Sequence, residues 1–247
     1  MIDVHFHLLP GIDDGPGHLG GSVELAQAAV AAGVEVIVAT PHVSPEYPNR
    51  PEAIERLAGR VVERLAKAGV DVEVHAAGEL AAGAVSELTG AQLRALTLGA
   101  GRWLLLECPF AQDAQAFEAV ARRLQGRGFE ILLAHPERSA PFQREPERIA
   151  ALVAEGMLCS ITAGSLVGRF GETPRSTALA LADAGLVHNV ASDAHNTGRR
   201  PPGTREQIGA AGLGELTDWL TVEVPRAMLD GGEVPPRPEA RAGARAR

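Results

Sequence analysis

Seven short apolar runs, spread evenly along the chain, constrain its fold more than any other feature. They are Ile2–Phe6, Val34–Ala39, Val72–Ala77, Trp103–Cys108, Phe129–Ala134, Leu158–Thr162 and Val187–Ser192. Runs of this length, rich in Val, Ile and Leu, are typical of strands that are buried on both faces. The sequence therefore predicts a core built on a parallel sheet.

Amphipathic segments of helical periodicity lie between the runs. The clearest are Ser22–Ala32, Pro51–Ala68, Ala114–Gly126, Pro146–Glu155 and Thr173–Ala184. Several end at a glycine, as in Ala32-Gly33 and Ala68-Gly69, which is typical of a helix C-terminus. Strands that alternate with helices predict βαβ units.

Nine side chains that can bind metal ions lie at or just past the ends of the apolar runs. They are His5, His7, Asp14, His42, Glu79, Glu107, His135, Asp193 and His195. Imidazole and carboxylate groups are the ligands of catalytic divalent ions. Nine ligands are too many for one ion, so the set predicts a site for two or three ions and a hydrolytic enzyme.

The positions of these side chains distinguish between two α/β architectures. In a (β/α) barrel, the loops after all the strands meet at one face and build the active site there. An open doubly wound sheet brings only one or two such loops to its ligand. Since the candidate ligands follow strands along the whole chain, we predict a TIM-like α/β barrel of seven units, with its active site at the C-terminal ends of the strands.

Two of the motifs place paired ligands on one strand end. His5 and His7 are two residues apart, so both imidazoles lie on the same face of an extended strand. Asp193 and His195 repeat that spacing after the last strand, which would adjoin the first in a closed barrel. Any single member of the set could be a helix cap or a buried, hydrogen-bonded side chain, but that explanation is improbable for all nine together.

The remaining three histidines are expected to lie outside the site. His75 is within a predicted strand, and His188 is at the N-terminal end of the last one, on the opposite face of a barrel. His18 is in a glycine-rich loop after Asp14.

Composition restricts the binding partners and the cellular location that we expect for the chain. The chain has 247 residues and a formal net charge of −8, which argues against nucleic acid as its main partner. The first motif begins at Asp3, so we expect no signal peptide and a cytoplasmic location. No apolar run approaches the ~20 residues of a membrane span, so no membrane insertion is expected. Residues 233–247 lack apolar periodicity, and we predict a domain over 1–232 followed by a disordered tail.

Arginines near the candidate ligands indicate an anionic substrate. Arg138 follows His135 by three residues, and Arg199 and Arg200 follow His195 within five. Guanidinium groups bind phosphate oxygens in bidentate geometry. We assign the phosphate-directed role to Arg138 and Arg200, whereas Arg199 is also compatible with a surface ion pair.

The motifs together resemble the PHP (polymerase and histidinol phosphatase) superfamily, and most closely the bacterial PHP-type protein-tyrosine phosphatases of capsular and exopolysaccharide synthesis. The resemblance covers residues 3 to about 202, in Asp3-Val-His-Phe-His7, Ile12-Asp-Asp-Gly-Pro16, Ala39-Thr-Pro-His42, Gly78-Glu79, Leu105-Leu-Glu107, Ala134-His-Pro-Glu-Arg138, Thr162-Ala-Gly-Ser-Leu-Val-Gly168 and Ala191-Ser-Asp-Ala-His-Asn196.

The resemblance implies a distorted (β/α)7 barrel and a site for three divalent ions, with Mn as the first expectation and Fe or Zn as alternatives. His5, His7 and Asp193 would hold the first ion. Glu79 would bridge it to a second, held also by Glu107 and His135, while Asp14, His42 and His195 would hold the third. Arg138 and Arg200 correspond to the phosphate-binding arginines of the family. The implied substrate is a phosphotyrosine protein, such as a bacterial tyrosine kinase; the oligomeric state is not defined.

The same residues also bear on other mechanisms and substrates. A thiol-based phosphatase needs Cys-x5-Arg, but Ala114 and Ser165 stand six residues after Cys108 and Cys159. An amidohydrolase with a carbamylated lysine is disfavoured because Lys67, the single lysine, lies in a helical segment. A PHP phosphatase for a small ester, such as histidinol phosphate or a nucleotide, stays open. A non-catalytic metal-bound regulator would be favoured by missing ligands, and none is missing.

Overall fold

The computed structural model describes residues 1–111 and 113–238, and within them the strands are all parallel. They are β1 Ile2–Phe6, β2 Val36–Ala39, β3 His42–Val43, β4 Glu73–Ala76, β5 Glu79–Ala81, β6 Trp103–Glu107, β7 Glu130–Ala134, β8 Leu158–Thr162 and β9 Asn189–Ala191. All seven predicted strands are present within two residues of their expected bounds. The short β3 and β5 were not predicted.

Helices separate the strands, as the sequence predicts. They are α1 Leu19–Ala31, α2 Pro51–Lys67, α3 Gly90–Arg94, α4 Ala114–Gln125, α5 Ala140–Arg144, α6 Glu147–Ala154, α7 Ala163–Leu166, α8 Glu172–Asp183, α9 Arg205–Ala210 and α10 Val224–Asp230. Short 3-10 turns cover Ala82–Glu87, Pro136–Arg138 and Gly214–Leu216, and a π turn covers Trp219–Glu223. No helix in the described parts of the chain has both the length and the hydropathy needed to cross a membrane.

The strands form two hydrogen-bonded sheets that join into a ring. One sheet has the order β1-β2-β4 and the other β3-β5-β6-β7-β8-β9. After a short break, β2 continues into β3 and β4 continues into β5, so each pair occupies one position in the ring. Between β9 and β1, Asp193 N donates to His5 O at 3.0 Å and His7 N donates to Ala194 O at 2.9 Å. The result is the predicted barrel with seven strand positions.

Local chemistry explains both breaks. Pro41 separates β2 from β3 and lacks the backbone N–H that a central strand would donate. Gly78 separates β4 from β5 at a point of close packing. A Cβ atom there would lie 3.0 Å from Leu96 Cδ2 and 3.1 Å from Val43 Cγ2. The two breaks distort the barrel on the side where His42 and Glu79 enter the site.

The helices cover the barrel through apolar stripes. In α2, Ile54, Ala58, Val61 and Leu65 are buried at spacings of three and four residues, while the residues between them are mainly exposed. Burying each large aliphatic side chain stabilises the fold by roughly 1.5–3 kcal/mol. Since both faces of the strands are covered, β1, β2 and β8 are buried along their whole length.

The start of the C-terminal segment packs on the domain. Trp219 Nε1 donates to Pro235 O at 3.1 Å, and Arg237 donates to Ala182 O at 3.2 Å. Val234 contacts the hydrophobic core. Val234, Pro235 and Arg237 therefore contact the domain, within the segment that the sequence predicts to be a disordered tail. The remainder of that tail, 239–247, lies outside the described residues, and the domain boundary at 232 stays a prediction.

Candidate metal centre

The candidate ligands come together at the C-terminal edge of the barrel. Within the described residues, four overlapping groups have potential ligand atoms within 4.8 Å of one another, and these groups contain all nine predicted ligands: His7, Asp14, His42 and His195; His5, His7 and Asp193; His5, Glu79 and His135; and His42, Glu79 and Glu107. Because the groups share His5, His7, His42 and Glu79, they form one continuous cluster.

Glu79 lies at the centre of the cluster and is fully buried. Its Oε2 atom is 3.1 Å from both His5 Nε2 and His42 Nδ1, and 3.3 Å from His7 Nε2. Its Oε1 atom is 2.8 Å from His135 Nε2. One carboxylate therefore contacts four imidazoles from three segments of the chain: the end of β1, β3 and the turn after β7.

Asp193 occupies a second shared position, between histidines and arginines. Its Oδ1 atom is 3.4 Å from the Nε2 atoms of both His5 and His7. Its Oδ2 atom accepts hydrogen bonds from Arg138 Nη1 at 2.6 Å and from Arg200 Nη2. The predicted arginines therefore lie directly beside the predicted ligands.

Asp14 completes the outer side of the cluster, where solvent has access. Its Oδ1 atom is 3.0 Å from His195 Nε2 and 3.5 Å from His42 Nε2, and its Oδ2 atom is 3.6 Å from Arg200 Nη1. Its side chain is 43% exposed, whereas those of His7 and Glu79 are at 0%. A substrate can therefore approach the cluster from the side of Asp14.

Two candidate ligands have a left-handed backbone conformation. Within the described residues, His135 (φ 37°) and Asp193 (φ 54°) are the non-glycine residues with positive φ. This conformation is unfavourable for residues with a Cβ atom and concentrates at functional sites. Here the backbone is held in place by His135 N donating to Ser160 O and Asp193 N donating to His5 O. This conformation directs both side chains towards the cluster just after the ends of β7 and β9.

The donor atoms and their electrostatics fit bound cations. Glu79 Oε2 and Asp193 Oδ1 are buried, and neither has an aligned hydrogen-bond donor among the described residues despite the nearby imidazoles. Burial, together with the negative charges of Glu79 and Asp193, raises the pKa of Glu107 to about 8. The unpaired oxygens of Glu79 and Asp193, and the negative charge that disfavours ionised Glu107, suit the site to a divalent metal.

Asp13, which is not among the predicted site residues, hydrogen-bonds to the candidate ligand His7. Asp13 accepts a hydrogen bond from His7 Nδ1 at 2.7 Å. Burial disfavours its charge, but His7 more than compensates, so the pKa of Asp13 is lowered. Its position beside Asp14 was visible in the Ile-Asp-Asp-Gly motif. The conformation of this turn decides whether Asp13 or Asp14 faces the cluster. Sequence periodicity does not reveal that conformation.

A buried carboxylate joins the His135-Pro-Glu-Arg138 motif after β7 to the Thr162-Ala-Gly-Ser165 motif at the end of β8. Glu137 is fully buried and accepts hydrogen bonds from Thr162 N at 3.0 Å and from Ser165 Oγ at 2.7 Å. It thereby fixes the turn that carries His135 and Arg138. Glu137, Thr162 and Ser165 therefore have a structural role, which their positions in the sequence did not reveal.

Aromatic rings, also missed in the sequence, surround Arg138 and two of the imidazoles. The Arg138 Cζ atom lies 4.3 Å from the ring centroid of Phe170 and 5.3 Å from that of Phe110. Phe110 is stacked on His135 at 5.5 Å, and Tyr47 is stacked on His42 at 5.6 Å. Phe110 is 42% exposed, so it presents an aromatic surface at the edge of the site.

The three histidines expected outside the site lie outside the four ligand groups. His18 accepts from Gly21 N at the start of α1, and His75 is paired with Glu73 at 2.7 Å. His188 accepts a hydrogen bond from Cys159 N at 3.2 Å. Each has a structural partner of its own.

Fold and site together define a class: a PHP-type α/β barrel with a cluster of histidines and carboxylates at its active-site face. Comparison with known proteins agrees with it. Residues 1–211 match the family model described as "Capsular polysaccharide synthesis, CpsB/CapC". The chain belongs to this CpsB/CapC family.

Curated relatives and a solved structure extend the comparison. The chain is 37% identical to the tyrosine-protein phosphatase YwqE of Bacillus subtilis over 209 residues, which cover 84% of this chain and 82% of YwqE. It is 30% identical to the putative tyrosine-protein phosphatase CapC of Staphylococcus aureus, over 81% of this chain and 79% of CapC.

The structural match comes from a study of YwqE and of CpsB from Streptococcus pneumoniae, described there as unique metal-dependent tyrosine phosphatases. It has a TM-score of 0.84 and 32% identity, and covers 98% of this chain and 100% of that one.

Proposed function

We propose that this chain is a metal-dependent protein-tyrosine phosphatase of capsular or exopolysaccharide synthesis, acting in the cytoplasm on a phosphotyrosine protein such as a bacterial tyrosine kinase. The observation that carries the proposal is the cluster of candidate ligands with two arginines that meet on Asp193. The names of the relatives support the same activity.

The nine candidate ligands offer enough donors for three divalent ions, although Glu107 is grouped with His42 and Glu79 and not with His135. His5, His7 and Asp193 would hold one, and Glu79 would bridge it to a second that also takes Glu107 and His135. Asp14, His42 and His195 would hold the third. Manganese, iron or zinc suit these nitrogen and oxygen ligands. When bound, such ions lower the pKa of water and offset the negative charge of a phosphoryl group.

Arg138 and Arg200 bind and orient the phosphoryl group. Both guanidinium groups already lie beside Asp193, and Arg138 is held between Phe110 and Phe170. Preorganised donors of this kind stabilise the charge that develops in the transition state. An arginine can present two parallel N–H groups to phosphoryl oxygens, which a lysine cannot.

An apolar pocket beside the ligands supports an aryl ester as the substrate. The pocket has a volume of about 520 Å³ and is bordered by the candidate ligand Glu107. Its apolar wall includes Pro45, Phe110, Phe117 and Val120. A phenyl ring attached to a phosphoryl group at the metals can enter this pocket. The phenolate that leaves has a pKa of ~10, so it needs less help from an acid than an alkoxide does.

A substrate panel tests the proposal. Metal-loaded protein is assayed with a phosphotyrosine peptide, the matching phosphoserine peptide, histidinol phosphate and a nucleoside monophosphate. We expect the highest kcat/KM for phosphotyrosine, and we expect Phe110→Ala to lower that value more than the value for histidinol phosphate. A higher kcat/KM for histidinol phosphate or the nucleotide would contradict the proposal and establish a small-ester phosphatase.

A further inference from the structure

A second pocket borders the metal centre and shares no lining residue with the apolar one. Its volume is about 310 Å³, and it is lined by Asp14, Arg169, Phe170, His195, Asn196, Arg199 and Arg200. Since Asp14 and His195 are candidate metal ligands, a group bound in this pocket lies beside the phosphoryl site.

The charge of this pocket is positive, although the chain as a whole carries −8. Three guanidinium groups face one carboxylate, and that carboxylate, on Asp14, is already paired with His195 and Arg200. Arg169 and Arg199 are exposed and have no ion pair with any described residue. Arg175 in α8, by contrast, is paired with Glu172 at 3.1 Å.

The backbone that carries each unpaired arginine is fixed to the site. Asn196 Oδ1 accepts hydrogen bonds from the backbone nitrogens of Gly198, Arg199 and Arg200 at 3.1, 2.7 and 3.2 Å. His195 N donates to Arg200 O at 2.9 Å, which closes this loop. These hydrogen bonds tie the backbone of Arg199 to the residues next to His195.

The backbone of Arg169, which also lines the pocket, is held in a similar way. Arg169 N donates to Gly164 O at 2.9 Å. A Cβ atom at Gly164 would lie 3.1 Å from the Phe170 ring and 3.2 Å from Arg169 Cδ, so the loop packs closely there. Phe170 in turn contacts Arg138. Two arginines without an ion-pair partner among the described residues thus lie next to the phosphoryl site, each on a hydrogen-bonded backbone.

We infer that this pocket is a subsite for a second anionic group of the protein substrate, namely the carboxylate of an acidic residue that flanks the phosphotyrosine. The inference rests on the proposed function. Arg169 and Arg199 would bind the carboxylate through charge-assisted hydrogen bonds. Because the contact is the same before and during phosphoryl transfer, it should affect KM and leave kcat nearly constant. A second phosphotyrosine has related chemistry and is tested separately.

The experiment compares three phosphotyrosine peptides that differ only beside the phosphorylated residue: neutral flanks, Asp and Glu flanks, and a second phosphotyrosine. The enzyme variants are wild type, Arg169→Ala/Arg199→Ala and the control Arg175→Ala, which removes one exposed positive charge that does not line the pocket. The readouts are kcat and KM. Binding of non-hydrolysable phosphonate versions of the peptides is measured by fluorescence anisotropy, so that the subsite is tested even without turnover.

For wild type and Arg175→Ala, we expect a lower KM and tighter binding for the acidic peptide than for the neutral one. In the double variant, this preference should fall by about tenfold, mainly through KM. Equal affinity of wild type for acidic and neutral peptides, or an equal loss in Arg175→Ala, would overturn the inference. A preference for the doubly phosphorylated peptide alone would overturn the assignment to a carboxylate. Failure of the proposed function is distinct, because then no phosphotyrosine peptide is hydrolysed although anisotropy still reports on the pocket.

Discussion

Asp13 holds the ring of His7 in place, with 2.7 Å between its Oδ2 atom and His7 Nδ1. The same carboxylate accepts hydrogen bonds from the backbone nitrogens of Gly15 at 2.9 Å and His42 at 3.2 Å, so its own position is fixed. A proton held on Nδ1 leaves the lone pair of Nε2 free to face the cluster. Carboxylates behind ligating imidazoles set the tautomer and strengthen the ligand.

Asp13→Asn is therefore expected to weaken metal binding without unfolding the protein. Loss of such a partner typically costs about 10–100-fold in metal affinity or activity. Metal titration of chelator-treated protein, followed by calorimetry, measures the change. The control is Asp71→Asn, at an exposed position between α2 and β4. Equal metal affinity in wild type and Asp13→Asn would show that His7 needs no support from Asp13.

Arg138→Ala and Arg200→Ala are each expected to lower phosphotyrosine turnover by about a hundredfold, the usual effect of removing one preorganised donor. Both should keep their metal content, because an arginine cannot coordinate a cation. Lysine should rescue only in part, because it lacks the planar fork. Steady-state kinetics and elemental analysis of the same samples give the result.

Arg199→Ala is the comparison for these two variants. It should be much milder than Arg200→Ala with a small aryl phosphate, because Arg199 makes no contact with a candidate ligand in the described residues. A larger effect of Arg199→Ala would mean that the assignment after His195 is displaced by one residue.

Replacing the two cysteines by alanine is expected to preserve activity. Cys108 and Cys159 are buried, and burial raises the pKa of both thiols well above the ordinary value. Neither is therefore a thiolate nucleophile at neutral pH. The variants are assayed before and after treatment with a thiol-alkylating reagent. Turnover that disappears in Cys108→Ala or Cys159→Ala while the fold is retained would point to a thiol mechanism.

His188 is expected to make the protein less stable in acid. Burial lowers its pKa from 6.5 to about 4, and its Nδ1 atom accepts a hydrogen bond from Cys159 N. Between these two values the unfolded chain binds more protons than the folded one, so stability rises with pH and falls on acidification. Urea unfolding of wild type and His188→Gln at pH 7 and pH 5 measures the effect.

The variant should lose less stability than wild type between the two pH values. His75→Gln serves as the control, since His75 is a partly exposed strand residue paired with Glu73. If His188→Gln and wild type lose the same stability, then groups other than His188 cause the acid sensitivity.

The sequence predicted the strands and main helices because their apolar periodicity is local. It did not predict β3 and β5, since each has only two or three residues and is formed by pairing across the barrel. The nine candidate ligands, which lie in one cluster, could be predicted because each lies at or past the end of an apolar run. Phe110 and Phe170 were missed because they meet at Arg138 from separate loops, and no spacing along the chain reveals that contact.

The most direct test of the account is phosphotyrosine turnover measured against the number of metal ions bound per chain. Protein stripped by a chelator is loaded stepwise with manganese, iron or zinc, and each sample is analysed for metal and for activity. We expect no turnover without metal and a maximum close to three ions per chain, with Glu79→Gln reducing both quantities. Turnover in fully stripped protein, or saturation of metal and activity at one ion per chain, would contradict the account.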